Sequence, residues 1–398
     1  MTRPISRNNT GQSGRVMRAK IYSLAFGGEG VGKVDGKVCF VKGALPGEEV
    51  VFRVVKDTES YTKGELSEIV ETSPDRTLPV CKYYGKCGGC QLQHISYEKE
   101  LFYKREQIKE LVSRIAGKKD VNCLDIVPSP NPYNYRSSVT LHRKGSGWGY
   151  YEVNGIDLMA IDSCSIAEDA INGRFNSLFV PEAKESATVK ADWKGKVWVS
   201  DIPGERFFRD RYDDMELFMS PKAFTQANRA VALAIARVLG EWIGYADEDT
   251  AFFDAYCGIG FYTFLLKQGF GLRAGIDESR IAIDCAQSTE REYGRKDVKF
   301  YLGNTEKEFV GLFARLKMKK NVLFLDPPRQ GAEKGFLEEI RTISEISRIY
   351  YLSCDPARLA RDIKIITGAG GWELGRLQPF DMFPRTKHIE TLAEFIRR

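Results

Sequence analysis

The chain has 398 residues, of which 43% are hydrophobic and 28% are charged, and its formal net charge is +5 at pH 7. That length exceeds what one hydrophobic core usually supports, so we expect more than one folded domain in a globular protein. No apolar stretch is long enough to cross a bilayer and no apolar signal core begins the chain, which argues against a membrane-bound or secreted protein and predicts a cytoplasmic one.

The positive charge and the cysteines both narrow the choice of partners. A small excess of positive charge fits a nucleic-acid partner without requiring one. Residues 1–20 carry basic side chains and no acid, a pattern that is usually a solvated arm. Nine cysteines in a cytoplasmic chain do not indicate a disulfide framework, because that compartment keeps thiols reduced. Metal binding or catalysis is the better explanation for them.

Residues 21–70 alternate short apolar runs with glycine-rich corners. The runs include Val38–Val41 and Glu49–Val55, and glycines are dense between Gly27 and Gly32. Short strands at this spacing predict a small closed β-barrel of about five strands. Such a barrel is a common platform for single-stranded nucleic acid, but the pattern fits a structural or protein-docking barrel equally well.

Three cysteines follow the predicted barrel at close spacing: Cys81, Cys87 and Cys90. The two glycines before Cys90 allow the backbone to fold tightly, so the thiolates could converge on one metal centre. Three thiolates leave one coordination position open, and the side chains that could fill it are Cys123, Cys164 and His94. Zinc and an iron–sulfur cluster both accept four thiolates, so the spacing does not choose between them.

The middle of the chain reads as one helix followed by a small sheet. Apolar residues fall at helical intervals from Tyr97 to Ile115, and the helix is predicted to end at Gly117. Strand-like segments and turns then alternate from Ser138 to about Met219. Aromatic and arginine side chains at 133–136 could stack on RNA bases, although they are equally ordinary as packing residues.

From Phe224 the pattern changes to a long amphipathic helix, followed by alternating strands and helices. The buried strands are predicted at Ala251–Tyr256, Leu272–Ile276, Val298–Leu302 and Asn321–Asp326. This alternation requires a mostly parallel sheet with helices on both faces. Its ligand is expected at the carboxyl ends of the strands.

Polar residues lie at or just after these strand ends, and they are expected along one edge of the sheet: Asp254, Asp277, Asn304 and Asp326. The loop Cys257–Gly260 has only the G-x-G part of a phosphate-binding motif, so a phosphate cradle is poorly supported. A ligand with a positive centre and a ribose, such as S-adenosylmethionine, suits the acidic edge better. A nicotinamide cofactor would use the same Asp277, so both remain open at this point.

Two further stretches present single reactive side chains. Asp326 is followed by two prolines, which fix the loop and aim the carboxylate into the crevice, unless this is only a rigid turn. The run Tyr350–Pro356 is typical of a strand that ends by presenting one thiol, Cys354, at the mouth of a sheet. The alternative is that Cys354 is an inert buried thiol, as free cysteines often are.

Several motifs in the same order resemble one known family. They are Asp326-Pro327-Pro328-Arg329, Ser353-Cys354-Asp355-Pro356, and Met382-Phe383-Pro384 with His388-Ile389-Glu390. Together they resemble the RNA uracil-C5 methyltransferases of the TrmA/RumA type. The cysteines at 81, 87, 90 and 164 resemble the cluster-bearing members, and the glycine-rich barrel is similar to their TRAM domain.

The resemblance implies an α/β fold with three parts. These are an N-terminal OB-like β-barrel (the TRAM domain), a small α+β middle domain that carries an iron–sulfur cluster, and a Rossmann-like class I methyltransferase domain with a mostly parallel seven-stranded sheet. The corresponding boundaries are 1–17 for a basic tail, 18–72 for the barrel, 73–219 for the middle domain and 220–398 for the methyltransferase domain.

The resemblance also implies roles for individual residues. Cys354 is the expected nucleophile and Glu390 the expected general base. The residues expected to bind S-adenosylmethionine or frame the target base are Gln226, Tyr256, Phe261, Asp277, Asn304 and Asp326. The expected ligands of a [4Fe–4S] cluster are Cys81, Cys87, Cys90 and Cys164.

The implied reaction begins with addition of the Cys354 thiolate to C6 of uracil, which turns the ring into an enolate that can attack a methyl group through C5. We expect the site to favour the ionised thiol. Glu390 then removes the C5 proton, and elimination releases the cysteine. The cluster is expected to be structural rather than redox-active, since methylation needs no electron transfer.

The expected partner is RNA, with 23S ribosomal RNA favoured over transfer RNA, and the expected oligomeric state is a monomer. A transfer-RNA uracil-C5 methyltransferase and a non-catalytic RNA-binding iron–sulfur protein are the alternatives. A cytosine-C5 methyltransferase uses the same thiol addition, but it would be expected to carry a Pro-Cys motif instead.

Overall fold

The structure of the protein is a computed structural model that describes residues 14–145, 147–175, 185–200, 202, 204 and 206–398. The first 13 residues of the predicted basic tail therefore lie outside the described residues. The chain forms two compact units. One comprises the chain up to Gly85 with Cys90–Gln107 and Arg385–Lys387, and the other comprises Lys86–Gly89, Ile108–Pro384 and His388–Arg398.

The first unit contains a closed five-stranded barrel, as predicted. Its strands pair in the order β1-β2-β3-β5-β4. The strands are β1 (Val16–Leu24), β2 (Glu29–Val34), β3 (Lys37–Lys42), β4 (Glu49–Asp57) and β5 (Tyr61–Glu71). Alternate residues point into a core that includes Val50 and Phe52. Gly64 gives this core its close packing, because a Cβ there would lie 2.2 Å from the Phe52 ring.

The predicted helix after the barrel is present as α1 (Tyr97–Leu111), continued by a π-helical turn at Val112–Ala116. Gly117 ends it with a φ of 70°, a left-handed conformation that favours glycine. The prediction of the helix and of its end at Gly117 is therefore confirmed.

The second unit holds a small sheet, a ribbon and a large sheet. The small sheet has the strand order β10-β9-β6-β7-β8, and the ribbon pairs β11 with β12. These strands are β6 (Ser138–Lys144), β7 (Gly147–Tyr151), β8 (Leu158–Ala160), β9 (Ser186–Ala191), β10 (Val197–Val199), β11 (Phe208–Tyr212) and β12 (Met215–Met219). One short helix, α2 (Asp169–Asn172), lies between β8 and β9 in the chain.

The large sheet has seven strands in the order β15-β14-β13-β16-β17-β19-β18. The strands are β13 (Thr250–Ala255), β14 (Leu272–Asp277), β15 (Val298–Leu302), β16 (Lys320–Leu325), β17 (Ile346–Ser353), β18 (Trp372–Phe380) and β19 (Glu390–Arg397). Strands β13 to β17 run parallel, whereas β19 is antiparallel to both β17 and β18. Every residue of β13 is buried, as expected for a strand covered on both faces.

Helices separate the strands of this sheet along the chain. They are α3 (Arg229–Ile243), α4 (Phe261–Leu265), α5 (Arg280–Tyr293), α6 (Thr305–Leu316), α7 (Lys334–Ile340) and α8 (Pro356–Thr367). The predicted start of α3 at Phe224 is wrong, because Asn228 caps the helix by accepting a hydrogen bond from the N–H of Val231 at 3.3 Å. The barrel and the mostly parallel seven-stranded sheet confirm the predicted fold class, while the domain boundaries stay a prediction.

Within the described ranges, none of the helices has both the length and the apolar character that crossing a membrane requires.

Candidate active site

The site lies where neighbouring strands of the large sheet end on one edge. Five neighbouring strands, β14, β13, β16, β17 and β19, each have a polar or reactive residue at this edge. In the same spatial order these residues are Asp277, Tyr256, Asp326, Cys354 and Glu390. Carboxyl ends of parallel strands meet at one edge of a sheet, so the chain brings together residues that are far apart in sequence.

The pairing of β17 with β19 makes Cys354 and Glu390 neighbours. Ser353 at the end of β17 is paired with Thr391 of β19. Because these strands are antiparallel, the residue after Ser353 and the residue before Thr391 lie opposite each other. Leu325 is paired with Tyr351 on the other side of β17, so Asp326 follows at the same edge. The thiol therefore lies between two carboxyl-bearing residues.

The surroundings of Cys354 favour the neutral thiol. Burial raises the pKa of this partly exposed thiol to about 12, because the thiolate loses the stabilisation that water gives it. The negative charges of Glu390 and Asp326 contribute to the rise, whereas the exposed Arg329 guanidinium lowers the pKa. The expectation that the site favours the ionised thiol is therefore wrong for the protein without substrate.

The two carboxyl groups beside the thiol are also shifted. Burial raises the pKa of Glu390 to about 7, and Arg329 opposes that rise. Burial, followed by the charge of Glu390, raises the pKa of Asp326 well above its ordinary value. Two neighbouring carboxyls that repel each other in this way titrate as a pair. Near neutral pH Glu390 can therefore both hold and accept a proton.

A second layer of polar groups lies below this edge. The Tyr262 hydroxyl is buried and has no hydrogen-bond partner among the described residues. Burial and then the charges of Asp326 and Glu390 raise the pKa of Tyr262 well above its usual range. Asp254 is 1% exposed and accepts a hydrogen bond from the Thr263 hydroxyl at 2.5 Å. Asp254 lies near the end of β13, as predicted, and its charge acts on Asp326, although its own carboxylate is enclosed.

The glycine loop is held by Asp277. One oxygen of its carboxylate accepts the N–H of Gly258 at 2.9 Å, and the other accepts the N–H of Ser279 at 2.8 Å. Gly260 has a φ of 77°, and a Cβ there would lie 2.5 Å from the Phe300 ring. The loop conformation therefore needs glycine at this position.

The other residues predicted to bind the cofactor, which include Asn304, Tyr256 and Gln226, differ in their hydrogen-bond partners and in their position in the fold. Asn304 caps α6 and donates from its amide to Glu278 at 3.2 Å. The Tyr256 hydroxyl donates to Glu306 at 2.8 Å. Tyr256 directly precedes the glycine loop, and the residue before Asn304, Gly303, donates its N–H to the carbonyl of Asp277 at 3.0 Å. Gln226 is 8% exposed and lies just before α3.

Phe261 is 5% exposed and packs edge-to-face against Tyr212 with ring centroids 4.8 Å apart. Its side chain is thus part of the hydrophobic core, which leaves its backbone as the part that can face the loop.

Sequence reasoning missed three residues of this site: Arg329, His388 and Tyr262. Arg329 lowers the pKa values of both Cys354 and Glu390, and its Nη2 lies 3.5 Å from Nε2 of His388. Arg329 and His388 belong to motifs quoted above, which is a signal that could have found them. Tyr262 gave no such signal, because an aromatic residue in a predicted core helix is ordinary.

Comparison with known proteins agrees with this geometry. The sequence matches the TRAM domain family at residues 12–67 and the tRNA (Uracil-5-)-methyltransferase family at residues 211–397. An uncharacterized RNA methyltransferase of Clostridium acetobutylicum is 30% identical, over 98% of this chain and 97% of that protein. The chain belongs to the RNA uracil-C5 methyltransferase family. A further family member, an uncharacterized RNA methyltransferase of Halalkalibacterium halodurans, is 28% identical over 98% of this chain and 97% of its own length.

A solved structure has the same fold. It is the tRNA (uracil-54, C5)-methyltransferase of Pyrococcus abyssi in complex with S-adenosyl-L-homocysteine, with a TM-score of 0.72. The likeness covers 96% of this chain and 100% of that chain at 23% sequence identity. At this level of identity it supports the fold of the family.

The four cysteines predicted to bind a cluster are divided between the two units. Cys81 and Cys90 belong to the first unit and Cys87 and Cys164 to the second, and all four are partly exposed. In the first unit the backbone N–H of Tyr84 donates to the carbonyl of Cys81 at 3.0 Å. Burial raises the pKa of Tyr84 most, and the charge of Cys90 adds to the rise.

In the second unit Tyr150 lies near two of these thiols. Burial, followed by the charges of Cys164 and Cys87, raises the pKa of Tyr150 well above its usual range. Four thiols are the donor set of an iron–sulfur cluster. However, no group of three or more His, Cys, Asp or Glu side chains in the described part of the chain is arranged to hold a metal. The donor chemistry of the four thiols is that of a cluster, and the cluster stays a prediction.

Proposed function

We propose that the protein methylates C5 of uracil in RNA with S-adenosylmethionine as methyl donor. The observation that carries this proposal is the register of β17 with β19, which makes Cys354 and Glu390 neighbouring residues, so that the charge of Glu390 acts on the Cys354 thiol. A nucleophile and a base on one ring are what C5 methylation requires, because the ring must be activated at C6 and later lose a proton from C5.

The first step forms a bond between the Cys354 sulfur and C6 of uracil. The electrons of the C5–C6 double bond move toward O4, which gives an enolate with electron density on C5. Because the pKa of the thiol is raised to about 12, its proton leaves as the sulfur–carbon bond forms. The carboxyl pair Glu390 and Asp326 supplies the acceptor, and that proton returns to solvent before the last step.

S-adenosylmethionine supplies the methyl group when it is bound at the carboxyl edge of the sheet. Asp277 fixes the glycine loop there, Tyr256 directly precedes that loop, and Asn304 follows the residue that donates to the carbonyl of Asp277. Gln226, Asp326 and the backbone of Phe261 complete the proposed set of residues that contact the cofactor or the target base.

The last step restores the ring. Glu390 takes the C5 proton, the C5–C6 double bond forms again, and the sulfur of Cys354 leaves as a thiolate. A carboxyl with a pKa of about 7 suits this task, because it is ionised often enough near neutral pH to accept a proton and is still basic. Arg329 helps to keep it ionised.

The experiment that tests this proposal is methyl transfer from labelled S-adenosylmethionine to uridine-containing RNA, followed by nucleoside analysis. We expect 5-methyluridine from the wild-type protein and none from Cys354→Ala. Cys285→Ala is the matched control, since Cys285 is a buried thiol on α5, away from the edge. Formation of 5-methylcytidine instead would favour a cytosine methyltransferase, and RNA binding without methylation would favour a non-catalytic protein.

For the substrate we propose 23S ribosomal RNA ahead of transfer RNA, because the cysteines resemble those of the cluster-bearing members. Transfer RNA is the alternative, and it is the substrate named for the Pyrococcus abyssi protein. Mapping 5-methyluridine in total RNA from a strain that lacks the gene separates them. Loss of a ribosomal site supports the first and loss of a transfer-RNA site the second. We propose that the protein acts as a monomer.

We also propose that Cys81, Cys87, Cys90 and Cys164 bind a [4Fe–4S] cluster, on the basis of their sequence spacing and their four-thiol donor set. The methylation uses no electron transfer, so the cluster would have a structural role. Analysis of protein purified without air is expected to find iron and sulfide in equal amounts, about four of each per chain. Zinc without sulfide, or no metal, would contradict the proposal.

A further inference from the structure

The turn that joins β9 to β10, residues 192–196, has a fixed conformation. The Asp192 carboxylate accepts the N–H groups of Lys194 and Lys196, both at 2.9 Å, and the indole N–H of Trp198 at 3.0 Å. Gly195 supplies the one left-handed position, with a φ of 77°. Asp192 is only 7% exposed, so its charge is used inside the turn rather than presented to solvent.

This turn exposes a tryptophan. Trp193 is 41% exposed, whereas Trp148, Trp242 and Trp372 are at least 90% buried and Trp198 is partly buried. The backbone N–H of Trp193 donates to the Asp210 carboxylate at 2.8 Å, which fixes the backbone position that carries the indole side chain. A large apolar ring held in solvent by a rigid turn is available to stack on a ligand.

Positive charges surround this ring. Nζ of Lys194 lies 4.8 Å and Cζ of Arg211 lies 5.5 Å from the centroid of the Trp193 ring. Lys194, Lys196 and Arg211 are exposed, and no carboxylate among the described residues forms an ion pair with them. Nζ of Lys196 lies 3.8 Å from the centroid of the neighbouring Trp198 ring, at the edge of this surface. The nearby Asp210 is buried and binds Arg229 at 2.9 Å. Glu216 is paired with Arg211 across the ribbon and lies 4.0 Å from Arg209, so the exposed cations on this face outnumber this carboxylate.

The turn and β11 are connected by direct packing to the candidate active site. Tyr212, next to Arg211, packs against Phe261, the first residue after the glycine loop. Lys190 of β9 donates to the Thr225 hydroxyl at 3.0 Å, one residue before Gln226. Both elements thus belong to the scaffold that holds the loop.

We propose that this turn and Arg211 form an RNA-binding surface, which we call the Trp193 surface: Trp193, Lys194, Lys196 and Arg211. An unpaired base stacks on the indole, and the flanking phosphates pair with the three cations. Bases stack on aromatic rings and on guanidinium planes in this way, and cations next to such rings bind the backbone. The proposal rests on RNA being the substrate, as proposed above.

RNA fits this surface better than a protein partner does. The surface offers one aromatic ring within a cationic rim, which matches a chain of bases and phosphates. A protein interface of useful affinity would need a broader apolar centre. An acidic peptide is the remaining alternative. It would bind the cations without needing the Trp193 ring, so the test below distinguishes it from RNA.

The test is binding of a fluorescently labelled twelve-nucleotide oligouridine, measured by anisotropy at several KCl concentrations. We expect Trp193→Ala to raise the Kd about tenfold, and Trp193→Phe to remain within about threefold of the wild type because the phenyl ring can still stack. The double variant Lys194→Gln with Lys196→Gln is expected to weaken binding and to reduce the slope of log Kd against log salt by about one to two.

Tyr245→Ala is the matched control. Tyr245 is an aromatic residue that is 86% exposed and lies beyond the end of α3. We expect its removal to leave the Kd unchanged. Thermal unfolding should be similar for all variants, because each altered side chain is exposed.

Two results would overturn the proposal. One is a Kd for Trp193→Ala equal to that of the wild type, and the other is an equal loss for Trp193→Ala and Tyr245→Ala. Loss only in the lysine variant would identify an acidic-ligand surface and would also overturn it. Methylation by the wild-type protein is measured separately. If the wild type methylates uridine but the binding test gives one of these results, the proposed function stands and only the Trp193 surface is wrong.

Discussion

The reactivity of Cys354 toward iodoacetamide tests the electrostatics of the site before any RNA is added. The structure raises the pKa of this thiol from its ordinary value of 9.0 to about 12. At pH 8 that difference lowers the thiolate population about a thousandfold. A thiolate of higher pKa is more nucleophilic, which recovers about 20- to 30-fold. We therefore expect Cys354 to react about 30- to 50-fold more slowly than a cysteine in an unstructured peptide.

The assay is timed alkylation at pH 8, followed by proteolysis and mass spectrometry of the peptide that contains residue 354. Glu390→Gln removes a negative charge beside the thiol, so its alkylation should be severalfold faster than in the wild type. The pKa of Glu390 is about 7, so the wild type and the variant should converge below pH 7 as that carboxyl becomes neutral. Glu373→Gln, at an exposed ion pair on β18, is the control and should change nothing.

The reasoning is refuted if Cys354 in the wild type reacts faster than the peptide cysteine. That result would mean that the free protein holds a preformed thiolate. Slower alkylation in Glu390→Gln than in the wild type would contradict the assigned effect of the neighbouring charge.

Three further changes have defined outcomes. Arg329 lowers the pKa of Glu390, so Arg329→Gln should move the acidic limb of the kcat–pH profile for 5-methyluridine formation to higher pH; an unmoved limb would contradict this. Tyr262→Phe removes a buried hydroxyl without a partner in the described structure and should raise the free energy of unfolding by about 1 kcal/mol in urea denaturation. Gly64→Ala places a methyl group against a buried phenyl ring and should cost about 1–3 kcal/mol, whereas Gly311→Ala, on an open face of α6, should cost nothing.

The fold could be predicted from the sequence because its signals are local. Glycine corners between short apolar runs gave the barrel, and alternating strands and helices gave the parallel sheet. The position of Asp326 at a strand end followed from the same pattern. The start of α3 was harder, because the apolar residues from Phe224 resemble a helix and the cap at Asn228 decides where it begins.

The pairing of Cys354 with Glu390 could not be predicted from local pattern. It depends on β19 entering the sheet between β17 and β18, antiparallel to both, which brings together residues far apart in the chain. Only the resemblance to a family suggested that they act together. The charge state of Cys354 was predicted wrongly, because burial and two neighbouring carboxyls are properties of the folded site.

The central claim is that the Cys354 sulfur bonds to the uracil ring during methylation. Glu390→Gln, incubated with S-adenosylmethionine and RNA that contains uridine, tests it most directly, because loss of the base should stop the reaction at the methylated adduct. We predict a covalent protein–RNA species that survives denaturation, and digestion should place a methylated uridine on the peptide of residue 354. An adduct through another residue, or 5-methyluridine formation by Cys354→Ala, would contradict the claim.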